Sequence, residues 1–443
     1  MKSKRAKVLH ELGGAPLIAY VCRTAEALNP DKIYVVVGQQ AVEVEKAVKA
    51  EVGSLAEFVT QAQQRGTADA VLSARGQLGN RNSLLVILSG DVPLLKAETL
   101  EHFIDEHRSS GAACSVLSVR LENPTGYGRI VRDTDDHFAR IVEQRDATDE
   151  ERKIKEINSG IYCFGSGKLL PALDRVKPAN DQGEFYLTDV AEILLGQGEK
   201  VSVYLHSDAR EVSGINTRAE LAEFENLLRR NTIRKLMLEG GVTFLDPSRA
   251  YISASARLGQ DCVIYPDVAI EGGSEIGEGC EIHSGSRITN SRLGSNVVIK
   301  DHCVIIDSTI ESSCAIGPFA HLRMNTTIEE GAVVGNFVEV KKSRLGRGSK
   351  SMHLTYLGDA TIGEKTNIGA GTVTCNYDGK DKHPTIIEDN VRIGSDTMLV
   401  APVRVGSGSV TAAGSVVTKD VPPDTLVAGV PAVVKKRLKR REK

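Results

Sequence analysis

His353 is the side chain best suited to proton transfer near neutral pH, because an imidazole titrates close to that range. Lys341 and Lys342 precede it, Arg323 lies one or two coils of the repeating region earlier, and Tyr356 follows it. Transfer of an acyl group to a sugar amine needs such a base, together with cations that hold the phosphate of the sugar. A single histidine is more often structural or solvated than catalytic, but the neighbouring basic groups favour a catalytic site.

A second candidate site lies at residues 89–93, Ser-Gly-Asp-Val-Pro, which directly follow the apolar run Leu84 to Leu88. Gly90 lets a ligand approach the backbone, and Asp91 offers a hard oxygen ligand for a Mg²⁺ ion that carries phosphates. An Asp after a strand is also a common turn former or helix cap. The spacing therefore allows a metal site without requiring one.

Two glycine-containing segments could also admit a ligand. Gly66 and Thr67 open a predicted helix from Ala68 to about Leu78, and the free N–H groups at a helix start attract anions. Taken alone, Thr67 is better explained as the N-cap of that helix. Residues 125–129, Thr-Gly-Tyr-Gly-Arg, could admit a sugar or a base, or could form a hairpin turn. The sequence leaves both pairs of alternatives open.

The elements that must position these residues differ between the two parts of the chain. Residues 1 to about 217 alternate helical patterns with short apolar strands, which predicts an α/β domain with a largely parallel sheet. Ligands of such domains gather at the carboxyl ends of the strands, where Asp91 lies. A helical pattern at 218–241 ends at a Gly-Gly pair and indicates a connector. The predicted strands are Lys32 to Gly38, Leu84 to Leu88, Ala113 to Val119, Gly160 to Phe164 and Val201 to Leu205.

From about Tyr251 to Val430 an aliphatic residue returns at nearly every sixth position, often followed by glycine. This period fits neither an amphipathic helix nor a two-sided strand, and it predicts a β-helix of hexapeptide repeats over 242–443. An ordinary β-sandwich would instead show two-residue alternation between variable loops. The pattern breaks at 345–357 and at 371–385, which predicts loops there, with His353 on the first.

Composition limits the classes of partner. The chain has 443 residues, a formal net charge of −3 and a pI near 6.4, so neither nucleic acid nor insertion into a membrane is expected. The basic residues 435–443 favour a solvated tail. Eight cysteines show no metal-ligand spacing, and the longest purely aliphatic run is too short to span a bilayer. These features predict a soluble, cytoplasmic protein without disulfide bonds or zinc.

Several segments together resemble the GlmU family of bacterial bifunctional enzymes, whose members combine glucosamine-1-phosphate N-acetyltransferase and N-acetylglucosamine-1-phosphate uridylyltransferase activities. The match extends over nearly the whole chain, and the last stretch is highly specific. The resemblance implies a Rossmann-like nucleotidyltransferase domain followed by a left-handed parallel β-helix, and a homotrimer with acetyltransferase sites at subunit junctions. The matching segments are KVLHEL at 7–12, QAQQRGTADA at 61–70, SGDVPLL at 89–95, NPTGYGRI at 123–130, IVEQRDAT at 141–148, EINSGIY at 156–162, GINTR at 214–218 and the segment from VGNF to NYDG at 334–379.

The resemblance also implies roles for individual residues. In the β-helix, His353 is the base for acetyl transfer. The implied contacts of glucosamine 1-phosphate are Arg323, Lys341, Tyr356 and Asn367, and those of acetyl-CoA are Ala370, Asn376, Tyr377, Ser395 and Ala413. In the first domain the implied contacts of UTP or the nucleotide sugar are Lys7, Gln61, Gly66, Thr67, Gly90, Gly128, Glu143, Asn158 and Asn216, with Asp91 and Asn216 holding Mg²⁺.

Two departures from the family pattern affect these expectations. The family begins with a strand and a glycine-rich loop before the segment that matches residues 1–7, and the arginine that it often places toward coenzyme A near 427–431 is absent. Because the strand pairs within the sheet and the loop supplies N–H groups to the nucleotide phosphates, we expect a destabilised first domain and little uridylyltransferase activity in the chain as written. The alternatives to a bifunctional enzyme are an acetyltransferase alone, a nucleotidyltransferase with a purely structural β-helix, and a non-enzymatic assembly subunit.

Overall fold

The computed structural model describes residues 1–38, 40–78, 83–178, 180 and 182–438 of the chain. The chain divides into two compact units, Met1–Phe224 and Glu225–Lys443, and the division falls within the long helix Arg218–Leu238. Among the described residues, no helix is long and apolar enough to cross a membrane. All eight cysteines are free thiols, and seven of them are buried.

The larger sheet of the first unit is mixed, so the prediction of a largely parallel sheet was wrong. Its central strand, Glu156–Gly165, pairs antiparallel with three neighbours, and the described sheet has one parallel pair, Cys114–Arg120 with Val201–Leu205. The direction of pairing depends on contacts between segments distant in the chain, which the composition of a single strand does not record. Cys114–Arg120 pairs along one edge of the central strand. The other edge pairs with Leu84–Ile87 toward one end and with Gly128–Arg132 toward the other, where the hairpin to Phe138–Val142 extends the sheet.

A separate parallel pair is formed by Ile33–Val37 and Ala56–Thr60. Within the described residues, neither Ile33–Val37 nor Leu84–Ile87 has a strand on its second edge, and most of their apolar side chains are only half-buried. All five predicted strands therefore exist, but they are distributed over two sheets.

Amphipathic helices cover the strands of the first unit. In Ala41–Val52, the buried side chains Val44, Val48 and Val52 recur every fourth residue and pack with Ile18 and Cys22 in one apolar cluster. The described helices are Leu17–Ala27, Ala41–Val52, Thr67–Ser73, Arg75–Leu78, Ala97–Ser110, Ser166–Leu173 and Thr188–Gly196, with 3₁₀ turns at Lys7–Leu9, Gly53–Leu55 and Glu151–Lys153 and a small hairpin of Glu11–Leu12 with Ala15–Pro16.

The second unit is a solenoid of short strands whose aliphatic residues point inward. Ile264 pairs with Ile282 one coil later, and Ile282 with Ile299, so a coil of three strands without an insertion takes 17 or 18 residues. The aliphatic residues of the six-residue pattern are all buried in one continuous core. Each coil stacks on the next and shares this core, which a single coil could not form alone.

The strands form three parallel faces, and a short 3₁₀ turn lies at Pro247–Arg249. The first face consists of Thr243–Phe244, Val263–Ile264, Glu281–Ile282, Val298–Ile299, Ala315–Ile316, Val333–Asn336, Lys350–His353, Asn367–Ile368, Arg392–Ile393, Val410–Thr411, Thr425–Ala428 and Val433–Arg437. The second consists of Tyr251–Ile252, Ala269–Glu271, Arg287–Thr289, Val304–Ile306, His321–Arg323, Glu339–Lys341, Tyr356–Gly358, Val373–Cys375, Met398–Val400 and Val416–Val417. The third consists of Arg257–Leu258, Glu275–Ile276, Arg292–Leu293, Thr309–Ile310, Thr327–Ile328, Arg344–Leu345, Ala360–Ile362, Thr385–Ile387 and Val403–Val405.

The coil continues through the first predicted loop, so the placement of His353 on a loop was wrong. Strand Lys350–His353 pairs with the coil before it and with the coil after it. Ser351 takes the inward position that Val334 and Ile368 hold in the neighbouring coils, and it is fully buried. Because a serine replaces the aliphatic residue here, the six-residue pattern is interrupted in the sequence, although the backbone continues the coil.

The second predicted loop is confirmed. Residues 376–384 leave the coil between Val373–Cys375 and Thr385–Ile387. At the other end of the solenoid, Val433–Arg437 pairs antiparallel with Thr425–Ala428, so part of the expected tail is a strand, with every side chain exposed. Residues 439–443 of that tail lie outside the described residues.

Candidate active sites

His353 lies at the end of its strand, at the corner between the first and second faces. Its Nδ1 is 2.6 Å from Oδ1 of Asn336, the residue directly opposite it in the preceding coil. An amide oxygen accepts a hydrogen bond, so this contact selects the tautomer that carries the proton on Nδ1. The lone pair is then on Nε2 of an exposed ring, which is the form that can accept a proton.

Three of the residues implied for acetyl-CoA continue the corner column that starts at Asn336 and His353. Backbone hydrogen bonds connect the next corners in order, from Asp396 N to Ala370 O at 2.7 Å and from Gly414 N to Ser395 O at 2.8 Å. Ala413 precedes Gly414 and occupies the position that Ser395 holds in the preceding coil. The structure therefore places His353, Ala370, Ser395 and Ala413 in one row along this corner. The side chains that follow the imidazole in this row are small.

A group of cations lies on the second face. Arg323 and Lys341 are paired in register on adjacent strands. The guanidinium of Arg323 donates to Glu339 at 2.8 Å, and Lys341, only 3% exposed, donates to Asp359 at 3.0 Å. The structure brings these two implied phosphate contacts together, and each already has one carboxylate partner.

Tyr356 belongs to the same group, and Gly358 explains how closely it packs. A Cβ on Gly358 would overlap the hydroxyl of Tyr356 and would lie 2.8 Å from Nδ2 of Asn376. Any side chain at this position would thus displace two implied substrate contacts. Asn367 lies instead on the first face, in register with Lys350 and exposed.

The loop at 376–384 is braced by one carboxylate. Asp378 accepts hydrogen bonds from the N–H groups of Asp381 and Lys380 and lies 2.7 Å from Nε2 of His383. These bonds hold the pKa of the Asp378 carboxyl well below its usual range, and the bond from the Asp381 N–H has the largest effect. The loop presents the exposed ring of Tyr377, whose hydroxyl donates to Gly379 O at 2.7 Å.

Lys382 of this loop adds a cation that the sequence did not single out. The adjacent ammonium of Lys341 lowers the pKa of Lys382, and the charge of Arg323 acts in the same direction. Lys342 is a fourth cation, with its ammonium 3.7 Å from Oδ1 of Asp359. Four cations therefore face a region that contains the carboxylates of Asp359 and Glu339. Such an excess of positive charge fits a phosphate.

In the first unit, Asp91 and Asn216 converge on one point. The ammonium of Lys7 bonds to Oδ2 of Asp91 and lies 2.9 Å from Oδ1 of Asn216. Two oxygens that share a cation are suited to Mg²⁺, which is often held by one or two protein oxygens together with substrate phosphates. No group of three or more His, Cys, Asp or Glu side chains in the described residues could hold a metal alone.

Gln61, Gly66 and Thr67 lie together, with a buried partner that the sequence did not indicate. Gln61 donates to Oδ2 of Asp69 at 2.8 Å. Burial opposes the charge of Asp69, but hydrogen bonds from Gln61 and Arg65 hold its pKa below the usual value. Gly66 has a positive φ of 121°, and a Cβ there would overlap the carbonyl oxygen of Phe185.

The N-cap interpretation of Thr67 was wrong. The N-cap is Gly66, and the Thr67 hydroxyl accepts a hydrogen bond from Leu187 N at 2.9 Å. The predicted helix is also divided, into Thr67–Ser73 and Arg75–Leu78. Gly90 follows strand Leu84–Ile87 as expected, and a Cβ on it would contact Ile18 and Val8.

Gly128, Glu143 and Asn158 are also neighbours. Gly128 is opposite Asn158 in the sheet, and a Cβ on it would lie 3.3 Å from Oε1 of Glu143. Burial, together with Asp146 and Asp189, raises the pKa of the Glu143 carboxyl. A cavity of about 720 Å³ opens beside these carboxylates. Segment 125–129 therefore leads into a strand at this cavity, and the hairpin turn follows later, at 133–137.

In the first unit, Lys7, Asp91 and Asn216 meet at one point beside a mixed sheet. In the second, a histidine lies at a β-helix corner. Together these features define a class of protein: a nucleotidyltransferase joined to a hexapeptide-repeat acyltransferase. Family models agree with this class. The nucleotidyl transferase model matches residues 2–212, the GMPPB C-terminal domain matches 247–326, and the bacterial transferase hexapeptide model, of six repeats, matches 384–419. The second unit is thus a left-handed parallel β-helix of hexapeptide repeats.

Full-length relatives identify the family. The bifunctional protein GlmU of Syntrophomonas wolfei is 47% identical over 426 residues, which cover 96% of this chain and 94% of that protein. The GlmU of Heliobacterium modesticaldum is 46% identical over 442 residues, which cover 100% of this chain and 94% of that protein. The chain belongs to the GlmU family of bifunctional enzymes, with acetyltransferase and uridylyltransferase activities that together make UDP-N-acetylglucosamine. The alternatives with one activity or none are not favoured.

Proposed function

We propose that the β-helix transfers the acetyl group of acetyl-CoA to the amine of glucosamine 1-phosphate, with His353 as general base. The observation that carries this assignment is the contact of His353 with Asn336 at 2.6 Å, because it leaves Nε2 free to accept a proton. The amine nitrogen attacks the thioester carbonyl while Nε2 takes one of its protons. The carbon–sulfur bond then breaks, and the thiolate of coenzyme A leaves and is protonated.

The cation group of the second face holds the sugar phosphate in this proposal. Arg323 and Lys341 bind the phosphate, and Tyr356 and Asn367 orient the sugar. The excess of positive charge around Lys341 supports this role, since a dianion would neutralise it. The corner row of Ala370, Ser395 and Ala413 receives acetyl-CoA, because its small side chains leave room along the solenoid, while Asn376 and Tyr377 close the cleft from the loop.

The first unit then transfers the uridylyl group of UTP to N-acetylglucosamine 1-phosphate and releases pyrophosphate. Lys7, Gln61, Gly66, Thr67 and the backbone at Gly90 contact the nucleotide. Gly128, Glu143 and Asn158 contact the sugar, and their proximity to one another supports this role. A bound Mg²⁺, held by Asp91 and Asn216, supplies charge neutralisation at the phosphates. Lys7 offsets the negative charge that develops during transfer, and its position between Asp91 and Asn216 supports this assignment.

We also propose a homotrimer, with the acetyltransferase sites at the subunit junctions. A ridge of large side chains runs along the His353 corner and consists of His302, Phe319, Phe337 and Leu354. Ring centroids along it are 5.2 Å apart, yet Phe319, Phe337 and Leu354 are 48%, 55% and 64% exposed. All four residues have a positive φ, which is costly for large side chains. Burial against a second copy of the chain would offset that cost.

The remaining proposals concern organisation and location. We assign residues 1–217 to the uridylyltransferase domain, 218–241 to the linker and 242–443 to the acetyltransferase domain. The helix Arg218–Leu238 supports this division. We assign the protein to the cytoplasm, which the eight free cysteines support, because reducing conditions keep thiols unpaired.

A thiol-release assay with different acceptors tests the acetyl-transfer proposal. The purified chain is expected to release coenzyme A from acetyl-CoA with glucosamine 1-phosphate, and to release little with glucosamine, which lacks the phosphate. Lys341→Met should remove this preference while leaving the weak reaction with glucosamine. Equal rates with both acceptors in the unmodified chain would contradict the role of the cation group.

A further inference from the structure

Asp359 connects residues that belong to the two substrates of the acetyl transfer. Its Oδ2 accepts hydrogen bonds from Nζ of Lys341 at 3.0 Å and from Nδ2 of Asn376 at 2.6 Å. Lys341 is one of the proposed contacts of the sugar phosphate, and Asn376 is one of those of acetyl-CoA. A single carboxylate oxygen therefore touches both sets of contacts.

The contact matters for Lys341 because its ammonium is almost entirely buried. A buried ammonium without a partner is costly, and Asp359 is the carboxylate that receives its hydrogen bond. Lys382 and Arg323 add positive charge nearby, so the carboxylate also limits the repulsion within the cation group. Without Asp359, the ammonium of Lys341 would move toward solvent and away from its place on the second face.

The contact matters for Asn376 because this residue begins the loop at 376–384. The remainder of that loop is braced by Asp378 from within, through hydrogen bonds that do not reach the coil. Asn376 is buried, and its bond to Asp359 attaches the first residue of the loop to the second face. The position of the exposed Tyr377 ring follows from this attachment.

We propose that Asp359 is a positioning residue that sets both substrate sites of the acetyl transfer at once. It orients Lys341 toward the sugar phosphate and Asn376 toward acetyl-CoA, and it touches neither substrate itself. The proposal rests on the proposed acetyltransferase function. It assigns to one side chain an effect on two substrates that contact different residues.

The fold provides a well-matched variant and control. Asp359 occupies a corner with a positive φ of 50°, and the corresponding corners of earlier coils are Asn290, Asp307 and Asn325 with φ of 46°, 46° and 59°. Asparagine is thus already used at this position, so Asp359→Asn preserves the backbone while it removes the charge. Asp307→Asn makes the same change at a corner whose side chain is exposed and which lies three coils before Asp359.

The test is a steady-state comparison of thiol release by the unmodified chain, Asp359→Asn and Asp307→Asn, with thermal melting to show that each is folded. Hydrogen bonds to charged groups contribute enough that the KM for glucosamine 1-phosphate and the KM for acetyl-CoA should both rise about tenfold in Asp359→Asn. The kcat should fall by less than about threefold, because His353 is untouched. Asp307→Asn should match the unmodified chain.

A fall in kcat with both KM values unchanged, or a rise in only one of them, would overturn the proposal. Absence of thiol release from the unmodified chain and from Asp307→Asn would instead contradict the acetyltransferase function, so the two failures are distinguishable. If Asp359→Asn does not fold, Asp359→Gly tests the same contacts, because glycine adopts a positive φ and Gly272 already occupies this corner in an earlier coil, with φ of 62°. Both KM values should again rise about tenfold. No change in the KM for acetyl-CoA would overturn the proposal.

Discussion

At the scale of the residue, the important contacts are those that fix a protonation state or a charge. Asn336 selects the tautomer of His353 without adding charge, whereas Asp359 neutralises Lys341. Sequence reasoning missed Asn336 and Asp359 because each lies about one coil from the side chain that it contacts. The spacing of 17 or 18 residues, once the coil length is known, is the signal that could have found them.

The pH dependence of acetyl transfer should depend on Asn336. In Asn336→Asp a carboxylate replaces the amide oxygen and stabilises the protonated ring, so less of the base is free at a given acidic pH. The acidic limb of the kcat/KM profile for glucosamine 1-phosphate should therefore move to higher pH. Asn336→Ala should lower kcat/KM without moving the limb in that direction. A profile for Asn336→Asp that coincides with that of the unmodified chain would show that the contact does not act on His353.

At the scale of the element, each strand of the solenoid is held by its inward side chains and by hydroxyl groups at the corners. Ser349 and Ser351 lie two residues apart, and both are fully buried. The hydroxyl of Ser349 donates to Gly363 O at 2.6 Å and accepts from Thr366 N at 2.8 Å. Among the described residues, the hydroxyl of Ser351 has no hydrogen-bond partner. The same side chain thus has opposite energetic effects at two neighbouring positions.

Alanine substitutions at these serines should differ in sign. Ser351→Ala removes an unpartnered buried hydroxyl, so the thermal midpoint of the β-helix should be unchanged or higher. Ser349→Ala leaves two backbone groups without a partner and should cost about 1 to 3 kcal/mol, with a lower midpoint. Circular dichroism melting of the two variants is the measurement. A clear loss of stability in Ser351→Ala would mean that its hydroxyl is satisfied after all.

The solenoid could be predicted more fully than the first unit, for a physical reason. A β-helix repeats local spacing, so Ile264, Ile282 and Ile299 reveal their stacking in the sequence itself. In the first unit, the antiparallel pairing of Glu156–Gly165 depends on strands that come from distant segments, and no local pattern records it. The loop predicted around Ser351 was wrong for the same reason. The strand there is held by pairing with the neighbouring coils, and the serine side chain does not show that pairing in the sequence.

The site residues divide in the same way. His353, Lys341 and Asp91 could be proposed from residue type and spacing, because imidazole, ammonium and carboxylate groups have few roles at such positions. Asn336, Asp359 and Asp69 have no such signature, and their importance comes from the atoms that they contact. A residue that acts by contacting another side chain cannot be recognised from a single sequence, because its role depends on which residues are its neighbours in three dimensions.

At the scale of the whole molecule, the proposed trimer explains why bulky side chains stand exposed at strained corners. The ridge adjoins His353, so a copy packed on it would also border the acetyltransferase site. Loss of the assembly and loss of acetyl transfer should therefore occur together. The residues proposed for uridylyl transfer belong to a separate compact unit.

A charge on the ridge should separate the subunits. Phe337→Arg places a guanidinium in the middle of the stacked rings, and the sedimentation coefficient should fall from that of a trimer to that of a monomer, with loss of thiol release. Val42→Arg is the control, because Val42 is also exposed and apolar but belongs to the first unit. It should remain trimeric and active. An active monomer in either the unmodified chain or Phe337→Arg would contradict the shared site.

The most direct test of the central claim, that His353 is the base of an acetyltransferase site in the β-helix, is the rate of thiol release by His353→Ala. The variant should remain folded, since the imidazole is exposed and outside the apolar core. With acetyl-CoA and glucosamine 1-phosphate at saturation, its kcat should be lower than that of the unmodified chain by about 10² to 10⁴. A folded His353→Ala variant that releases coenzyme A at the unmodified rate would contradict the account.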